Sequence, residues 1–174
     1  MKSFILTSFF LFVNIFNLYS DSVKSGFGAG LPKLVLQDYF SVSYGIHIRT
    51  IFNTDIRYLK LFSEYKYDYL KNSASTLNLH GIYGGIEIND FTRFFFNPYV
   101  MIGAGGVLEF LTVNSNRYSN NDPALMLVLG LEFPEEKIMY VEAAYYFIYQ
   151  KSQLNALYNG AVLNFEIGIR LVSW

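Results

Sequence analysis

The chain has no cysteine, so disulfides, thiolate metal sites and a lipid-anchoring cysteine are all excluded. It is poor in charge: 16% of its residues are Asp, Glu, Lys or Arg, against roughly a quarter in an ordinary soluble domain. The formal net charge is −1 and no basic patch appears, which argues against nucleic acid as a partner. Past residue 20 no stretch offers the ~20 continuous apolar residues of a membrane-spanning helix. Only two histidines are present, His47 and His80, and neither a Gly-x-Ser-x-Gly nor a His-Glu-x-x-His spacing occurs. The residues therefore indicate no enzyme, no cofactor and no metal site. Gly103-Ala104-Gly105-Gly106 has the look of a phosphate loop, but it lies inside a strand pattern with no helix after it.

What is abundant is aromatic: 19% of the chain. Met1-Lys2 followed by an apolar run from Phe4 to Phe16, ending near Ser20, reads as a secretory signal peptide over 1–20. The remainder, 21–174, is the size of one domain. Within it, Phe40 to Thr50 alternates strictly. Phe40, Val42, Tyr44, Ile46 and Ile48 fall on one face and Ser41, Ser43, Gly45, His47 and Arg49 on the other, the two-residue period of a strand.

The same pattern predicts eight strands: Val23–Pro32, Tyr39–Ile51, Ile56–Leu70, Thr76–Ile88, Pro98–Val113, Pro123–Phe133, Ile138–Gln150 and Gly160–Trp174. The connections after the second, fourth and sixth strands read as turns. Those after the first, third, fifth and seventh read as longer, Asn- and Ser-rich loops, as in up-and-down barrels of outer membranes. The non-apolar face is small or singly charged, with Ser41, Ser43, Gly45, Gly81, Gly85, Gly103, Gly105, Ala144 and Gly168, rather than crowded with long charged residues. That suits the filled interior of a narrow barrel better than the wet exterior of a soluble one. Tyrosines 65, 67 and 69, with Tyr145, Phe147 and Tyr149, gather toward the loop ends. Phe94, Phe95, Phe96 and Phe133 gather at the turn end, matching the aromatic girdles at two membrane interfaces.

The expected fold is therefore all-β, a closed up-and-down antiparallel eight-stranded transmembrane β-barrel. With its leader, alternating segments and final strand Asn164 to Trp174, the chain resembles the small outer-membrane barrels of the OmpA membrane domain and OmpX class. The resemblance implies a bacterial outer-membrane location, the lipid bilayer as surroundings, and Trp174 as the terminal aromatic read by the barrel-assembly machinery. The apolar phase of Phe165 to Leu171 does not include Trp174, so either a bulge shifts the last residues or Trp174 turns inward. The bias toward Asn, Ile, Lys, Phe and Tyr suits an AT-rich genome such as a spirochaete's.

Inside the barrel, Arg49, Glu87, Glu132, Glu142 and Arg170 are expected to form a charged network, with Glu142 and Arg170 pairing between neighbouring strands. His47 shares their face; His80 falls on the apolar phase, at an interface. Because a rigid barrel leaves binding to its loops, Asn114 to Asp122 is the expected surface-binding loop, with Asn116, Arg117 and Tyr118 at its centre. The functional expectation is a monomeric structural or surface-binding protein meeting a host or extracellular protein. A narrow pore or OmpW-like conduit for small solutes is the alternative, and a secreted lipocalin-like carrier the third.

Overall fold

The computed structural model describes residues 22–30, 42–54, 56, 58–89, 96–133, 139–149 and 160–173, with backbone alone for 22–30, 42 and 170–173. Eight strands follow one another: β1 (Ser22–Gly30), β2 (Val42–Asn53), β3 (Leu59–Lys71), β4 (Ser75–Ile88), β5 (Asn97–Val113), β6 (Asn116–Glu132), β7 (Met139–Ile148) and β8 (Ala161–Ser173). Each pairs antiparallel with the next, and β1 pairs with β8 from Ser22↔Ser173 to Gly30↔Asn164, so the sheet closes. Every strand thus has a bonded neighbour on each side, so no open edge runs the height of the wall.

The alternation read from sequence becomes an inside and an outside. On β3, Phe62, Glu64, Lys66, Asp68 and Leu70 are buried, while Leu61 and Lys71 are exposed and Ser63, Tyr65, Tyr67 and Tyr69 are half-buried. On β6, Ala124, Met126, Val128, Gly130 and Glu132 are buried, and Leu125, Leu127, Leu129 and Leu131 stand outside. All eight carboxylates of the described residues, from Glu64 to Glu166, are buried. The large exposed side chains of the strands are instead Ile46, Ile48, Ile82, Ile102, Leu125, Leu129, Phe165, Ile167 and others like them. The molecule is apolar without and charged within.

Two expectations are corrected. The segment Asn116 to Asp122 is not a loop: β5 and β6 pair without interruption up to Val113↔Asn116. Asn114 and Ser115 alone make the turn, at φ 46° and 72°. Two consecutive left-handed residues suit the two-residue hairpin turn whose twist matches that of its strands, and Asn is among the few side chains that enter that region readily. Asn, Ser and Asp are poor strand formers, which gave this stretch the look of a loop. Asn116, Arg117 and Tyr118 are exposed residues of a strand.

The second correction concerns Glu142, whose register partner on β8 is Glu166, not Arg170. Arg170 lies opposite Lys24 of β1. Beyond that pair the register shifts by one, Val23 pairing with Val172, so Leu171 is the extra residue of a bulge. The bulge is the first of the two alternatives posed by the phase of the last strand; Trp174 lies outside the described residues.

Candidate functional site

The most elaborate chemistry lies in the lumen. Arg49 of β2 is fully buried, and Glu64 of β3 is its register neighbour. The Arg49 Nε donates to Glu64 Oε2 at 2.7 Å. Its two terminal nitrogens reach across the barrel to Glu142 of β7, Nη1 to Oε1 at 2.5 Å and Nη2 to Oε2 at 3.1 Å. A planar guanidinium is the side chain suited to hold two carboxylates at fixed angles in this way. Tyr99 also donates its hydroxyl to Glu142, and Tyr146 donates to Glu64 at 3.2 Å.

A second centre adjoins the first. Lys66 donates to Glu166, lies 3.8 Å from Asp68, and sits 4.6 Å from the centre of the Tyr146 ring. His47 approaches Glu166 Oε2 through Nδ1 at 2.6 Å and the Tyr140 hydroxyl through Nε2 at 2.6 Å. Asn164 donates to Asp68 at 2.8 Å. Burial of so many charges is tolerable only because each is matched by a partner of opposite sign or by a hydrogen bond.

Glycines make room for the tyrosines. A Cβ on Gly168 would fall on the Tyr140 ring, and one on Gly130 would fall on that of Tyr99. Both phenols thus lie flat across the wall, aimed at His47 and Glu142. Toward the loop end Leu70, Leu77, Leu79, Val107, Leu111, Ile148 and Val162 are buried in one packed cluster, with Glu109 and Asp122 buried opposite Leu79 and Val107.

Of the five predicted network residues, the structure brings Arg49 and Glu142 together. Glu87 is buried and accepts from Asn89 at 2.9 Å; Glu132 is buried opposite Tyr140. The side chain of Arg170 lies outside the described residues. Glu64, Lys66, Asp68 and Glu166 complete the network, and their phase on β3 and β8 marks them as inward. His47, Glu142 and Glu166 place one ligand atom each within 4.8 Å of one another, the spacing of a metal site. Arg49 and Lys66 already bring positive charge against both carboxylates, so the donor set does not fit a divalent cation.

On the outer wall, His80 accepts or donates at Nδ1 with the Tyr65 hydroxyl at 2.9 Å, and Tyr67 donates to Asn78 at 2.8 Å. The His80 ring lies 5.0 Å from that of Tyr67 and 5.7 Å, edge-on, from that of Phe110. His80 therefore belongs to a half-buried aromatic band near the loop end, as its phase suggests.

No protein-family model and no curated protein sequence matches the chain. Solved structures do. Neisserial surface protein A shares 12% identity at a TM-score of 0.63, covering 88% of this chain and 95% of its own. Ail, the attachment invasion locus protein of Yersinia pestis, shares 12% at 0.51, covering 86% and 97%. The outer membrane enzyme PagL shares 12% at 0.53, covering 87% and 99%. At such identities the likeness is one of fold: the chain has the fold of small eight-stranded outer-membrane barrels. A surface protein, an attachment protein and an enzyme share it, so the fold leaves function to particular side chains.

Proposed function

We propose that the chain is an integral barrel of a bacterial outer membrane, with a lumen closed to solutes and a role at the surface exercised through its loop-end rim. The observation that carries this reading is the polarity of the wall: every described carboxylate is inside, while Ile82, Ile102, Leu125, Leu129 and Ile167 are more than half exposed. In water that arrangement would be inverted, as it would be in a lipocalin-like carrier. From Leu59 to Tyr69 the outer face of β3 runs about 34 Å along the strand. At the usual tilt this is roughly 26 Å along the barrel axis, close to the ~25 Å apolar band of outer-membrane barrels.

The closed lumen is supported by the two ion-pair centres and by the packed cluster above them, both of which set side chains where a hydrated solute would pass. This favours a structural or surface-binding role over a narrow pore or an OmpW-like conduit. PagL shows that the fold hosts catalysis, but here His47 is sealed inside the lumen and His80 lies on the outer wall, far from any shared site. His47 is held between Tyr140 and Glu166, and His80 by Tyr65. We read the chain as non-enzymatic and monomeric. Residues 1–20 would serve as export signal and Trp174 as the mark for the assembly machinery.

The exposed Asn116, Arg117 and Tyr118 at the tip of the β5–β6 hairpin are the surface offered to a host or extracellular protein. Tyr118, exposed yet rigidly placed opposite buried Leu111, is the natural anchor. The test is fractionation of expressing cells, followed by comparison of boiled and unboiled samples on a gel. The protein is expected in the outer-membrane fraction with heat-modifiable migration. A soluble product without that shift would overturn the reading. Binding of such cells to extracellular-matrix proteins, lost in Tyr118→Ala with the gel shift intact, would locate the surface role.

A further inference from the structure

Among the described strand residues the outer wall carries almost no charge, and what it carries is gathered at one place. Among the described strand residues facing outward there is no carboxylate, and the only formal cations are Lys71 of β3 and Arg117 of β6. They belong to one cross-strand row, Lys71↔Thr76, Thr76↔Thr112 and Thr112↔Arg117, the last outward row before the β5–β6 turn. Adjacent strands lie ~4.8 Å apart, so the two cations flank two threonines over roughly 14 Å. Both side chains are exposed and long enough to incline toward one ligand between them.

Directly beneath runs the row Tyr44, Tyr69, Asn78, Phe110 and Ser119, and below that Tyr67, His80, Leu108 and Asn121. Polar tips here are tied down by the Tyr65–His80 and Tyr67–Asn78 hydrogen bonds. Lower still the wall is aliphatic. Descending the wall, a ligand would meet cations, then hydroxyls and amides backed by aromatic rings, then hydrocarbon. That order matches a lipid with an anionic headgroup, a polar linkage and acyl chains.

We propose that the loop-end outer wall of β3–β6 docks the phosphorylated headgroup of a lipid in the adjoining leaflet, with Lys71 and Arg117 gripping the phosphate. Thr76, Thr112 and Asn78 offer hydrogen bonds beneath it. The proposal rests on the membrane reading above. What argues for a lipid on this outward row is the sign and position of the charge: among the described residues it is positive, at the edge of the apolar band, and continuous with it.

The test uses the full chain folded in neutral detergent and native mass spectrometry with phosphatidic acid, whose headgroup is a phosphomonoester, against phosphatidylcholine of the same chains. Preferential retention of phosphatidic acid is expected. Each cation near a membrane surface contributes about a fivefold preference, so K71Q/R117Q should lose about 25-fold. Equal retention of the two lipids, or an unchanged preference in K71Q/R117Q, overturns the proposal. So does displacement of the lipid by millimolar inorganic phosphate, which would mean a free-anion site. Flotation with pure phosphatidylcholine vesicles reports the membrane reading separately and should be identical in wild type and K71Q/R117Q. Flotation without phosphatidic acid preference removes the docking site alone, and failure to float removes both.

Discussion

Arg49 and Glu142 are 93 residues apart in sequence and joined across the lumen by two hydrogen bonds, at 2.5 and 3.1 Å. The guanidinium's third contact, to Glu64 on the adjacent strand, makes it the cation shared by β2, β3 and β7. It works as a strut between opposite walls of the barrel.

Removing it should be costly. Arg49→Met leaves Glu64 and Glu142 buried without their cation, and breaking such a pair from one side costs about 3–5 kcal/mol. Urea unfolding in detergent or lipid vesicles should show that loss. Ile48→Met, on the outer face of the same strand, should cost much less. Equal destabilisation by the two variants would contradict the assignment.

The flat tyrosines predict a steric effect at their glycines. Gly168→Val would drive Tyr140 off the wall and away from His47; Gly130→Val would do the same to Tyr99 and its bond to Glu142. Overpacking of this kind costs about 1–3 kcal/mol. Gly106→Val on the outer face, where a Cβ meets no atom closer than 3.8 Å, is the matched control and should be near neutral. Midpoints of urea unfolding for the three variants decide the matter.

At the hairpin tip, Ser115 holds a φ of 72°, a conformation that disfavours any residue with a Cβ. Ser115→Gly should raise stability by about 1 kcal/mol, and Ser115→Pro, whose ring cannot reach that φ, should fray the β5–β6 hairpin. Hydrogen exchange at the Val113 and Asn116 amides, which face each other across the hairpin, reports both effects.

These predictions rest on features that were unequally legible in the sequence. The strands were readable because a period of two needs no tertiary information: in β2, Ser43, Gly45, His47 and Arg49 are the buried face and Tyr44, Ile46 and Ile48 the exposed one. The inward set was visible too, since Glu64, Lys66, Asp68 and Glu166 share a phase with their neighbours. Partnership was not. Whether Arg49 meets Glu142 depends on barrel diameter and strand stagger, which no local pattern encodes, and the same is true of the register that sets Glu142 opposite Glu166 on β8. The Asn116–Asp122 stretch was misread for a different reason. Its composition favours turns, but β5 supplies a full ladder against it, and pairing overrides propensity.

The membrane reading makes a prediction that inverts the usual rule for exposed sites. Leu125 is 60% exposed and pairs with Ala104 near mid-height of the wall. In a soluble protein Leu125→Arg would be harmless. In a bilayer it should cost about 2–4 kcal/mol, falling toward zero for the same change near either rim. Unfolding in lipid vesicles measures the difference.

The most direct measurement of the central claim, that this wall faces hydrocarbon, is fluorescence quenching of Leu125→Trp on a Trp174→Phe background, which leaves one indole in the chain. Folded into vesicles of brominated phospholipid, the indole should be quenched most strongly by bromines near the bilayer centre and hardly at all by aqueous acrylamide. Strong acrylamide quenching with no response to brominated lipid would place Leu125 in water and contradict the account.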